Sequence, residues 1–129
     1  MHYLECIALL NYLLRKLYAG QRMQVPATVA EEVQQTVIAV NKRLPKDAFN
    51  ETMRANDIMD SISVIKSTDG LVYLTEQMKN TLIDGITELR DDLCLRAFTY
   101  FQTNDFEPTE EMIKIMRKVV SVALEKGVI

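Results

Sequence analysis

Tryptophan is absent from this sequence, and histidine, cysteine, proline and glycine are scarce. The 129 residues include one histidine, two cysteines, three prolines and four glycines. So few glycines and prolines exclude a collagen-like or loop-rich chain, and four scattered glycines cannot form a glycine-rich phosphate-binding loop. The remaining composition, 48% hydrophobic and 26% charged, is typical of a folded domain rather than of a disordered chain. We therefore expect residues 1–129 to form one domain with a sizeable core.

The rare residues also limit the chemistry that the chain can perform. Nucleophilic catalysis requires a base beside the nucleophile, and the only imidazole, His2, lies close to a terminus, where helices fray. Cys6 and Cys94 both lie inside apolar runs, which predicts two reduced and buried thiols. With one histidine and no closely spaced cysteine pair, a zinc site built from these residues is not expected. Our first expectation is a protein without a cofactor.

Charge is unevenly distributed along the chain. Residues 1–50 carry six basic and four acidic side chains, a balance of +2, whereas residues 51–129 carry nine basic and fourteen acidic ones, a balance of −5. Binding to a phosphate backbone depends on clustered lysine and arginine. A nucleic-acid-binding regulator is therefore our third hypothesis. It rests on two small basic groups, formed by Lys42, Arg43 and Lys46 and by Lys114, Arg117 and Lys118.

The leucine-rich run from Leu4 to Leu14 is predicted to be a core helix. Glu5 and Asn11 interrupt it, and Arg15 and Lys16 follow it. A secretory signal or a membrane span needs a longer uninterrupted apolar stretch. We therefore expect a cytoplasmic protein with no membrane partner.

Apolar residues recur at helical spacing in five segments, which predicts an all-α, single-domain bundle of about five helices with short connections. The predicted segments are residues 3–19 with Gly20 as a stop, 28–44 ended by Pro45, 47–66, 71–103, and 108–126 with Gly127 as a stop.

Several local features of these segments leave alternatives open. Thr28 and Glu31 match a capping box, and Asp47 is the predicted cap of the third helix. The third helix has a possible break at Asn56 and Asp57. Gly85 lies in the middle of the fourth helix, where it permits a kink or two shorter helices. Residues 71–74 also fit a short strand, although we favour one long helix.

The best candidates for metal chemistry are carboxylates on the fourth helix. Asp84, Glu88, Asp91 and Asp92 follow one another at i, i+4, i+7 and i+8, so most of them share one helix face. Clustered carboxylates can bind Mg²⁺ together with substrate phosphates. Our second hypothesis is therefore a Mg²⁺ site, formed where the acidic pair Glu31 and Glu32 of the second helix faces the carboxylates of the fourth. Its predicted ligands are Glu31, Glu32, Glu88, Asp91 and Asp92.

The segment Glu88-Leu89-Arg90-Asp91 resembles the Glu-x-x-Asp half of the motif of helical nucleoside-triphosphate pyrophosphatases. The resemblance covers four residues and implies Mg²⁺-dependent hydrolysis of nucleotides. The other half of that motif is Glu-x-x-Glu, and here Glu32 is followed three residues later by Gln35, which removes one charged ligand.

The main hypothesis rests on a surplus of apolar surface. The first helix is apolar around most of its circumference, and the fifth is rich in methionine and branched residues, so one small bundle has difficulty burying both. We therefore expect a small, non-enzymatic regulatory or adaptor protein that binds a protein partner through apolar helix faces and forms a homodimer. The predicted interface residues are Leu9, Leu13, Met112, Met116 and Val120.

Overall fold

Five α-helices account for most of the chain in the computed structural model, which describes residues 2–18, 24–104 and 107–129. They are α1 (His2–Tyr18), α2 (Val29–Arg43), α3 (Phe49–Ser67), α4 (Glu76–Thr103) and α5 (Glu110–Glu125). The helices share one continuous core. The predicted all-α, single-domain bundle is therefore confirmed. No helix in the described ranges is long and apolar enough to cross a membrane.

The apolar helix α1 lies in the centre of the bundle. It packs against α4 along most of its length and also contacts α2 and α5. Ile7, Leu10, Leu13 and Leu17 recur every three or four residues, and their side chains are fully buried. The deep position predicted from the leucine-rich sequence is confirmed. Gly20, the predicted stop of this helix, lies outside the described residues.

The longest helix, α4, runs unbroken for 28 residues, or about 42 Å at 1.5 Å per residue. The helix continues through Gly85, so the alternative of two shorter helices is wrong. A Cβ atom at Gly85 would lie 2.9 Å from Cγ1 of Ile58, a buried residue of α3. The glycine therefore permits the close approach of α3 and α4.

Residues 71–75 do not belong to α4, which corrects the predicted start of that helix. Pro26 and Tyr73 form an antiparallel bridge, in which Ala27 N donates to Val72 O and Leu74 N donates to Val25 O, both at 2.8 Å. Thr75 then begins the helix, because its Oγ1 accepts a hydrogen bond from Met78 N at 3.1 Å. The backbone groups of 72–74 pair with another segment instead of with a helical turn, so this segment is extended but forms an isolated bridge and not a strand.

The helix ends agree only in part with those predicted from the sequence. Thr109 caps α5 by accepting from Met112 N, and Gly127 follows it with a φ of 73°, a conformation that favours glycine. The two predicted N-terminal caps, Thr28 and Asp47, are wrong. Thr28 has helical backbone angles and its side chain makes no cap hydrogen bond, while α3 is preceded by Ala48, leaving Asp47 outside the helix. The helix α3 also continues through Asn56 and Asp57 without a break.

Candidate interaction surface

Helix α5 carries apolar side chains on more of its surface than the bundle covers. It packs against α4 and α1 and buries Val119, Val122 and Ala123. Three further apolar side chains are exposed: Ile113 by 40%, Val120 by 41% and Leu124 by 59%. Residues seven and eleven positions apart lie on nearly the same side of a helix. These three side chains therefore form one stripe, the α5 seam, beside the buried face.

A shallow depression of about 310 Å³ lies along this seam, lined by Ile113, Met116, Arg117 and Val120. Arg117 is exposed, and the aliphatic part of an arginine side chain can cover an apolar neighbour while the guanidinium stays in water. The depression therefore offers an apolar floor with a positive charge at its edge, a surface suited to another helix.

The structure separates the predicted interface residues into three groups. Val120 is exposed on the seam, whereas Met112, Met116 and Leu9 are half-buried and pack against the core. Leu13 is 0% exposed, so it has no surface to offer a partner while the bundle is closed. The choice of Leu13 as an interface residue is therefore corrected: α1 is covered by its own bundle.

Two seam residues, Ile113 and Leu124, are not among the predicted interface residues. The signal was available in their spacing, since they lie seven residues before and four residues after Val120. Choosing methionines for their adaptability selected Met112 and Met116 instead, which the structure turns towards the core.

Charge along α5 is negative at its start and mixed further along. The first turn contains Glu110 and Glu111, which suits the positive end of the helix dipole. Lys114, Arg117 and Lys118 follow, the last turn contains Glu125 and no basic residue, and Lys126 is the C-cap residue.

The predicted metal ligands lie in separate places and pair with basic side chains. Glu31 pairs with Lys66 of α3, and Glu32 with Lys16 of α1. These ion pairs hold the pKa of both carboxyls below the usual value of 4.5. Within the described ranges α2 makes no contact with α4. The two acidic groups therefore do not face each other as the hypothesis required.

On α4 itself, an arginine of α3 neutralises the acidic face. Arg54 Nη1 lies 2.7 Å from Glu88 Oε2, and Arg54 Nε lies 2.5 Å from Asp92 Oδ2. Asp91 is buried and turns elsewhere, pairing with Arg90 at 3.0 Å. Among the residues that the structure describes, no group of three or more His, Cys, Asp or Glu side chains is arranged to hold a metal ion.

A second candidate site is an open cavity of about 510 Å³ between the start of α1, the start of α3 and the second half of α4. Glu51 of α3 and Arg96 of α4 meet here, with Glu51 Oε1 2.9 Å from Arg96 Nε. This pairing raises the pKa of Arg96. Glu51 is not among the predicted site residues, because nothing in the neighbouring sequence indicates that a carboxylate in the first turn of α3 is buried.

The two cysteines are buried and free, as predicted. Burial raises the pKa of both thiols, that of Cys94 to about 12. Since the thiolate is the reactive form, neither thiol is suited to nucleophilic chemistry in the folded protein.

Comparison with known proteins provides no relative from which a function follows. No protein-family model matches the chain, and no curated protein and no solved structure shows detectable similarity to it. Any functional conclusion therefore depends on the surfaces described above.

Proposed function

We propose that this protein is a small regulatory or adaptor protein that acts by binding protein, and that it forms a homodimer through the α5 seam. The observation that carries the proposal is the exposure of Ile113, Val120 and Leu124 on a helix that already buries its other apolar side. A contiguous apolar stripe on a folded domain is typical of an association surface.

The helix dipole and the acidic first turn of α5 favour a second, antiparallel copy as the occupant of the seam. When two copies pair antiparallel about a two-fold axis, the first turn of each helix lies beside the C-terminal end of the other. Glu110 and Glu111 of one copy then lie near the end that Lys126 caps in the other. The two helix dipoles also oppose each other, which is the favourable arrangement.

The positions of the apolar residues fit the same symmetry. A two-fold axis near the middle of the seam, between residues 116 and 117, places Ile113 of one copy opposite Val120 of the other. The shallow depression around Met116 then receives side chains from the facing helix. Closing this contact removes the exposed side chains of Ile113 and Val120 from water.

The experiment is a measurement of molecular mass in solution by sedimentation equilibrium, over a wide range of protein concentration. We expect twice the monomer mass for the wild type and the monomer mass for Val120→Glu, because a dimer would place two carboxylates in an apolar contact. Ser121→Glu is the matched control, since Ser121 is exposed on the next position of the same helix, away from the seam. It should remain dimeric.

Two results would contradict the proposal: a wild-type protein that stays monomeric at the highest concentration, or a Val120→Glu variant that dimerises as well as Ser121→Glu. Circular dichroism of both variants checks that α5 stays folded. Glutamate is a better helix former than valine or serine, so the substitutions themselves do not disfavour the helix.

A further inference from the structure

We propose that the cavity between α1, α3 and α4 binds a ligand that carries a primary ammonium group, with Glu51 as the carboxylate that receives it. This site is independent of the α5 seam. Its wall consists of Tyr3, Asn50, Glu51, Asp92, Leu95, Arg96, Thr99 and Tyr100. At about 510 Å³ it has room for a small organic amine or the end of a lysine side chain.

The first argument is a buried acceptor without a hydrogen bond. The Glu51 side chain is only 7% exposed, and its Oε2 atom has no hydrogen-bond partner among the described residues. Buried carboxylate oxygens are normally satisfied, because losing water without gaining a partner is unfavourable. A donor supplied by a ligand would remove this deficit.

The second argument is the balance of charge around the cavity. The charged residues that line the cavity are Glu51, Asp92 and Arg96, two carboxylates to one guanidinium group. The lining is therefore negative, which disfavours an anion and favours a cation. Since no cluster of the described residues has the arrangement of a metal site, an organic cation fits better than a metal ion.

The third argument is the aromatic edge of the cavity. The rings of Tyr3 and Tyr100 meet edge to face, with centroids 6.4 Å apart. Aromatic faces attract ammonium groups and also cover the alkyl chain that carries them. Together with Leu95, these rings provide an apolar wall beside the carboxylate, which is the combination that an alkylamine requires.

The ion pair with Arg96 involves only one of the two Glu51 oxygens. Arg96 Nε lies 2.9 Å from Oε1, and Oε2 has no partner among the described residues. The last torsion of a glutamate side chain is soft. A small rotation about it can therefore adjust Oε2 to an ammonium group in the cavity that Glu51 lines.

The test is isothermal titration calorimetry, in which the full chain is titrated with putrescine. Nα-acetyl-lysine amide is titrated in parallel, so that tighter binding of one or the other distinguishes a free amine from a lysine side chain as the source of the ammonium group. We expect saturable binding of at least one probe and none of 1,4-butanediol, which has the length of putrescine without its charges.

Glu51→Gln should weaken that binding about tenfold or more, because it replaces a charged acceptor by an amide of the same shape. Asp84→Asn removes the same charge from an exposed position of α4 and should leave the affinity unchanged. A second variant, Tyr100→Leu, should also weaken binding. Because Tyr100 is partly exposed, this substitution does not disturb the buried part of the site.

The proposal is overturned if neither amine binds at millimolar concentration, which would mean that water alone satisfies Glu51. It is equally overturned if both amines bind Glu51→Gln as tightly as the wild type, or if butanediol binds as well as putrescine.

Discussion

Gly85→Ala tests whether the close approach of α3 and α4 is as tight as the structure shows. In the interior of an exposed helix this change stabilises a protein by about 1 kcal/mol, because glycine loses more backbone entropy on folding. Here the added Cβ would lie 2.9 Å from Cγ1 of Ile58. That atom is in the middle of a buried side chain, so relief requires Ile58 or the helix to move.

Forcing one extra carbon into a packed core costs about 1–3 kcal/mol. Set against the gain of about 1 kcal/mol in helix propensity, the net expectation for Gly85→Ala is a loss of up to about 2 kcal/mol. The assay is urea denaturation followed by circular dichroism, which measures the free energy of unfolding. Asn80→Ala, at an exposed position of the same helix, is the control for propensity and should be slightly stabilising.

A double-mutant cycle identifies the cause of that loss. Ile58→Ala removes the carbon atoms that the new Cβ would meet, so Gly85→Ala should be stabilising in that background. The reasoning is refuted if Gly85→Ala stabilises the wild type by the full 1 kcal/mol that propensity predicts, or if its effect is the same with and without Ile58.

Three further predictions follow from burial and charge. Leu13→Ala should lower the free energy of unfolding by about 2–5 kcal/mol, because Leu13 is fully buried, whereas the half-buried Leu9 should cost less when changed to alanine; chemical denaturation measures both. Cys94, whose pKa burial raises to about 12, should react with iodoacetamide at pH 8 only as fast as the protein opens, so mass spectrometry that shows rapid labelling without denaturant would contradict its burial. The pairing with Lys16 holds the pKa of Glu32 below 4.5, so its contribution to stability is present above that pH and is lost as the pH falls through the lowered pKa; Glu32→Gln should be slightly less stable than the wild type at pH 7, and thermal unfolding should show this small difference disappearing in acid.

Apolar periodicity predicted best the helices whose apolar residues all pack into the core. In α1 the leucines at helical spacing are simply the core, and both the helix and its depth follow from them. Residues 71–74 mislead because a short apolar run fits either a helical turn or a strand. What decides between them is the partner backbone at 25–27, which lies more than 40 residues away in the chain.

The candidate sites were harder to predict because they depend on which neighbours cover each side chain. Leu13 and Val120 are both apolar helix residues, yet one is in the core and the other is on the seam. Arg54 faces Glu88 and Asp92 only because α3 packs against α4. The helix periodicity contains no information about that pairing, so the acidic face looked free in the sequence.

The central position of α1 has a consequence for the order in which the chain folds during synthesis. Its main neighbour, α4, ends about 85 residues later, which corresponds to about 4 to 17 s at a translation rate of 5–20 residues per second. During this interval the most apolar helix of the protein has emerged from the ribosome while its main packing surface is still incomplete. By contrast, α3 and α4 are adjacent in sequence and can dock as soon as both are made. We therefore expect α1 to stay without its main packing partner for seconds in the nascent chain, and to join the bundle after α3 and α4 have docked.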